Sequence, residues 1–194
     1  MENSIKKSKL FGLGILGGLS IVFGIILANN MNHTYLSPLM FSLGIVFTII
    51  MRLELITRAV PLGRKVGEAC IIGAGNFIGA LLAGAALAWS GKYPPSIPIN
   101  IWGAIATGII IGLVSVANTE RTAYTVPVTF MLMFSFVYLK LPHCVVSAFY
   151  VGNSVIGGYL ANTLPGFLVV LVGNVIGGLI IWATYWLANK FHSA

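Results

Sequence analysis

From Ala123 to Leu160 the chain carries one charged side chain, Lys140, and five other stretches are nearly as apolar. A hydrocarbon core of ~30 Å takes about 20 apolar residues as helix. Six segments reach that length, roughly 10–29, 36–59, 67–90, 98–118, 123–158 and 163–189. Polar or turn-forming pieces separate them: "NNMNHTY", "VPLGRK", "GKYPPSIP", "NTERT" and "NTLPG". Only 8% of the residues are charged, against about 25% in soluble domains. The sequence therefore predicts a multi-pass, all-α membrane protein of one domain, residues 1–194. The first apolar stretch is long for a signal peptide and is read as a retained helix.

Composition excludes several functions. There is no aspartate, and the four acids are Glu2, Glu54, Glu68 and Glu120. Paired-carboxylate chemistry around a hard metal lacks its ligands. Cys70 and Cys144 both lie in apolar runs and are read as buried free thiols, with no zinc spacing and no disulfide framework. No cofactor or metal is expected. The net charge of +7 sits at segment ends, which is a topology signal and not a nucleic-acid patch. Lys6, Lys7, Lys9, Arg58, Arg64, Lys65, Arg121 and Lys190 fall on one side of a six-span arrangement, and only Lys92 falls clearly on the other. The positive-inside rule places both termini in the cytoplasm, and a bacterial inner membrane is the expected location.

The heptapeptide "GNFIGAL" at 75–81 recurs as "GNVIGGL" at 173–179. The match continues through Ala85 and Ala183 to Lys92 and Lys190. Two units of three spans insert with opposite orientation, so the sequence predicts inverted repeats over about 10–92 and 98–190. Gly75 and Gly79, like Gly173 and Gly177, stand four apart and suit close helix packing. Asn76 and Asn174 are costly against lipid and are expected to hydrogen-bond a neighbouring backbone, as packing residues away from substrate.

Two segments contain polar interruptions. Segment two holds "MRLELITRAV" (51–60), with Arg52, Glu54 and Thr57; segment five holds "LKLPHC" (139–144). A charge at mid-membrane costs ~2.5–3.5 kcal/mol, so these residues need partners or a wet cavity. Pro142 removes a backbone donor just before His143. Interrupted helices are tolerated where the loose backbone is buried in protein or lines water, and they point to a substrate path. Plainer alternatives stand beside this: Lys140 snorkels to an interface while Pro142 kinks a helix, and Arg52 and Glu54 mark the end of segment two.

With these residues in view, the chain resembles the formate/nitrite transporter family, six-span pentameric channels with an aquaporin-like fold. "GNFIGALLAGAALAWSG" and "LPGFLVVLVGNVIGGLIIWATYW" are similar to its third and sixth helices. "FSLGIVFTIIMRLELITRAV" resembles the second, and "PHCVVSAFYVGN" resembles the fifth-helix segment with the pore histidine. The resemblance implies Glu54 at the acid position, Leu55 and Ile56 at the constriction, Thr57 at the gating threonine and His143 at the pore centre. It also implies a homopentamer in a lipid bilayer. The sequence departs from the family pattern at Ile56 (an aromatic there), Pro142 (an acid) and Ser147 (an asparagine), in a longer spacing from Pro127 to His143, and in an N-terminal segment of about nine residues.

The expected function is a channel or facilitator for small monovalent weak-acid anions such as formate, nitrite or hydrosulfide, with proton exchange at His143. Lys140, Ser147, Thr57, Leu55, Ile56 and Glu54 complete the expected path, with Lys140 at one mouth and Arg52 as a candidate at the other to concentrate anions. Two other classes remain open at this stage. A structural or assembly membrane protein, or a transporter of another small solute, needs no central titratable group. An intramembrane enzyme using His143 with Ser147 or Ser154 lacks an aspartate to orient the imidazole, so an enzyme is not expected.

Overall fold

The computed structural model describes residues 2–31, 33–90, 97, 99–119 and 123–192. The topology cations Lys92 and Arg121 lie outside the described residues, as does the side chain of Lys190. Among the described residues eight α-helices follow in order: α1 (Glu2–Asn29), α2 (Leu36–Ile50), α3 (Ile56–Ala59), α4 (Val66–Leu87), α5 (Ile101–Ala117), α6 (Thr125–Tyr138), α7 (Cys144–Gly157) and α8 (Leu160–His192). A 3₁₀ turn, Ala88–Ser90, ends α4, and no strand occurs among the described residues.

Among the described residues, three stretches are long and apolar enough to cross a bilayer alone: Lys6–Asn29, Val66–Ser90 and Leu160–Asn189. At 1.5 Å per residue even the shortest, 24 residues, reaches about 36 Å. The other apolar helices, α2, α5, α6 and α7, have 10–17 residues each.

Helix pairing is the same in the two halves of the chain. α1 packs on α4 and α2, just as α5 packs on α8 and α6; α3 rests on α4, α5 and α8, and α7 on α8, α1 and α4. Close approach at these contacts needs missing side chains. A Cβ on Gly75 would lie 2.5 Å from the Phe11 carbonyl oxygen on α1, and one on Gly173 would lie 2.5 Å from the Ala104 Cβ on α5. Gly79 and Gly177 face the same two helices. In lipid, where apolar surface gains little by leaving the solvent, such dispersion contacts hold helices together. A cluster around Ile21, Phe41, Leu55, Met133, Val145 and Phe149 fills the centre.

Cys144 is buried, but Cys70 is exposed on α4, which corrects the expectation of two buried thiols. An apolar run in a membrane protein faces lipid as readily as protein, so hydropathy does not separate the two.

Candidate functional site

Two of the breaks between helices, from α2 to α3 and from α6 to α7, share a backbone geometry. α2 ends in a Schellman motif: the Leu53 N–H donates to the Thr48 carbonyl (2.9 Å) and the Arg52 N–H to that of Ile49 (3.1 Å). α6 ends likewise, with Leu141 N–H to Phe136 (3.2 Å) and Lys140 N–H to Val137 (2.9 Å). The left-handed residue that this motif requires is usually glycine. Here it is Arg52 (φ 57°) and Lys140 (φ 53°), the positive-φ non-glycine residues of the described chain. A side chain in that conformation costs about 1–2 kcal/mol.

Three residues further on the chain is extended, at Leu55 (φ −126°, ψ 138°) and at His143 (φ −120°, ψ 132°), before α3 and α7 begin. Extended backbone inside a membrane protein needs partners for its N–H and C=O groups. One asparagine supplies them at each break. Asn76 Nδ2 donates to the carbonyls of Gly14 (2.6 Å) and Glu54 (2.9 Å), and its Oδ1 accepts from Ile56 N–H (2.8 Å). Asn174 Nδ2 donates to Ala104 (2.9 Å) and Pro142 (3.2 Å), and its Oδ1 accepts from Cys144 N–H (2.9 Å). Each amide ties a break to a neighbouring helix, and neither side chain is more than 2% exposed.

The breaks meet at the centre. Thr57 Oγ1 stands 3.5 Å from His143 Nε2, the outer limit of a hydrogen bond. His143 is 2% exposed, its ring stands edge-on to Phe136 with centroids 6.0 Å apart, and its Nδ1 has no hydrogen-bond partner. Around Ile56, Thr57, Cys144 and Asn174 the packing leaves no room for a water molecule. Ile56 also presses its Cδ1 towards Gly73, and Leu55 is fully buried in the central cluster.

A cavity opens towards each end of the protein. At the C-terminal end of α1 lies one of about 240 Å³, lined among others by Lys140, His143, Ser147, Phe41, Phe136 and Tyr150. Ser147 N–H donates to the His143 carbonyl (2.8 Å). Towards the opposite end lies one of about 180 Å³, lined by Arg52, Leu53, Glu54, Arg58, Arg64 and Asn118, with Ile49 and Leu62. The Glu54 carboxylate bonds Arg64 at 2.8 Å and so belongs to this mouth. Arg64 also stands 3.8 Å from Glu68, which pairs with Lys6 at 3.0 Å. Among the described residues, no three of His, Cys, Asp and Glu gather as metal ligands.

The residues singled out in the sequence thus fall into three groups. Lys140, His143 and Ser147 share one cavity, Glu54 lines the other, and Leu55, Ile56 and Thr57 lie at the breaks between them. Asn118, Arg58 and Arg64 escaped notice as site residues. Arg58 and Arg64 carry only a topology signal in sequence, and Asn118 belongs to a separator that reads as loop. Asn76 and Asn174 do more than glue helices, because their amides hold the breaks in place.

No family profile and no curated protein sequence matches the chain. Solved structures do. A pentameric formate channel with formate bound is 19% identical, with 95% of this chain and 98% of that one covered at a TM-score of 0.71. An FNT family ion channel is 18% identical, with coverages of 94% and 89% and a TM-score of 0.73. At that identity the likeness speaks for the fold: this is an all-helical membrane chain with the fold of the FNT channels.

Proposed function

We propose that the protein is a channel for small monovalent anions of weak acids, of the formate, nitrite or hydrosulfide class, with proton exchange at His143. One observation carries the reading: the one buried imidazole among the described residues, 3.5 Å from the Thr57 hydroxyl, lies at the closed end of the Lys140 cavity, and a second basic cavity lies on the other side of the breaks. A bare anion pays a prohibitive desolvation cost there, and a neutral acid does not. Lys140 draws the anion into the first cavity. His143, protonated from the water of that cavity, passes its proton to the anion, and the neutral acid crosses between Leu55, Ile56 and Thr57. Beyond them the acid releases its proton to water, so one proton accompanies each anion.

The matched helix pairings, the matched breaks and the matched asparagines support two inverted repeats related by a two-fold axis in the membrane plane. Both termini then lie in the cytoplasm, on the side of Lys6 and Arg64, and the Lys140 cavity opens outward. The described glycine contacts lie between helices of one subunit, and the formate channel of like fold is pentameric. We assign this chain the same assembly in a bacterial inner membrane, with one path per subunit. Native mass spectrometry in mild detergent is expected to give five copies; a stable monomer overturns the assignment.

Stopped-flow flux into proteoliposomes tests the function. Formate, nitrite and hydrosulfide should enter faster as pH falls, whereas chloride, the anion of a strong acid, should not follow. Equal chloride flux, or no weak-acid flux, defeats the proposal.

A further inference from the structure

Where α2 stops, α1 loses a neighbour. The two helices cross tightly higher up, where a Cβ on Gly44 would lie 2.6 Å from the Ser20 carbonyl oxygen. α2 then ends at Ile50, and beyond the break the chain turns away, with α3 resting on α4, α5 and α8. The wedge left beside α1 is a groove of about 330 Å³, lined by Leu16, Leu19 and Phe23 on one side and Phe47, Met51 and Leu53 on the other. We infer that this groove holds an acyl chain of an anionic glycerophospholipid, whose phosphate is bound by Lys9. The inference concerns the lipid-facing side of the protein and stands whatever the path conducts.

Helical spacing supports it first. Lys9, Gly12, Leu16, Leu19 and Phe23 recur every three or four residues and so form one stripe along α1. Lys9 precedes Leu16 by about 10 Å and Phe23 by about 21 Å. A lipid tail that descends one leaflet, about 15 Å, from a phosphate at Lys9 therefore runs into the groove. Nothing blocks the way, because a Cβ on Gly12 would meet no atom within 4 Å.

The polarity of the groove says what fills it. Ser20 is its polar side chain, and the Ser20 hydroxyl is committed to the Gly44 carbonyl at 2.7 Å. The occupant is therefore hydrocarbon. Any lipid tail satisfies such a groove, so selection falls to the head group. Lys9 is exposed and has no ion pair among the described side chains, whereas Lys6 is held by Glu68 at 3.0 Å.

Charge also argues against a second copy of this chain as the occupant. The carboxylates among the described side chains are Glu54 and Glu68, and Arg64 and Lys6 already engage them. A neighbouring copy offers Lys9 no free anion from these, but a phospholipid brings its own phosphate. An ammonium is a compact charge well suited to that group.

Native mass spectrometry in mild detergent, with dioleoyl phosphatidylglycerol and dioleoyl phosphatidylcholine supplied in equal amounts, decides it. Wild type should retain one phosphatidylglycerol per subunit and far less phosphatidylcholine. Lys9→Gln should lower that retention about fivefold, the effect of one lysine beside an anionic lipid. Lys7→Gln removes the same charge from the opposite side of the helix and should change retention less than about twofold. Gly12→Phe closes the passage and Leu16→Trp fills the groove, and each should lower retention with every charge in place. Glycerol phosphate, a head group without tails, should not displace the lipid. Equal retention of the two lipids, or equal losses in Lys9→Gln and Lys7→Gln, overturns the head-group site. Wild-type retention in both Gly12→Phe and Leu16→Trp overturns the groove. A wild type that carries no lipid, with subunits that separate in Leu16→Trp, makes the groove a contact between copies and defeats the proposal.

Discussion

His143→Phe is expected to stop weak-acid flux while the protein still assembles. The imidazole is the proton carrier of the proposed path, and its replacement leaves Thr57, Cys144, Asn174 and apolar side chains at the closed centre. Positioned acid–base groups contribute typically 10²–10⁴-fold, so flux should fall at least about 100-fold. Folding should suffer little. His143 Nδ1 has no partner to lose, the ring already meets Phe136 edge-on, and phenylalanine keeps that aromatic contact. His143→Asn should retain a polar contact and lose the pH dependence, because an amide does not titrate near neutrality. Lys140→Ala should lower flux most at low ionic strength, since it removes attraction and not chemistry. Formate and nitrite uptake across pH 5–8 (about the range where imidazoles titrate) separates the three. An unchanged rate and pH profile in His143→Phe would make the histidine structural and the mechanism wrong.

Asn174→Leu should be the most destabilising substitution in the molecule, with Asn76→Leu close behind. Leucine matches asparagine in shape but leaves the carbonyls of Ala104 and Pro142 and the N–H of Cys144 without the amide that now satisfies them. Each orphaned buried group costs about 1–3 kcal/mol, so a loss of about 3–5 kcal/mol follows. The same reasoning applies to Gly14, Glu54 and Ile56 around Asn76. Asn174→Asp should lie between wild type and leucine, keeping the acceptor and losing both donated bonds. Reversible unfolding in mixed micelles measures this, with Ile176→Leu, on the exposed face of α8, as control. A change below about 1 kcal/mol for Asn174→Leu, less than one orphaned group, would show that the break holds itself.

What could be read from the sequence, and what could not, follows from the range of the physics involved. Lipid demands about 20 apolar residues in succession, a local requirement, so the membrane class is plain in the chain. Pro142 and the charges of 51–60 drew attention to two stretches for equally local reasons. The left-handed conformation at Arg52 and Lys140 was not legible, because that conformation normally goes with glycine. The second mouth was legible only at Arg52, because the fold is what brings Asn118 at the end of α5 beside Arg52 and Arg64 from the other half of the chain. The asparagines showed themselves as a repeated motif, but their partners lie 20 to 70 residues away, and hydropathy contains nothing to identify them.

The same long separations have a consequence for biosynthesis. The Ile56 N–H closes on Asn76, twenty residues later, and the Cys144 N–H closes on Asn174, thirty residues later. At about 5–20 residues per second, the ribosome takes roughly 1–4 s to add the first partner and 1.5–6 s to add the second. During those seconds each extended strand is without its amide, and lipid offers no substitute for it. The nascent chain must therefore keep each half-built break in a hydrated place, such as the insertion machinery or the membrane surface, until α4 or α8 emerges and draws it inward.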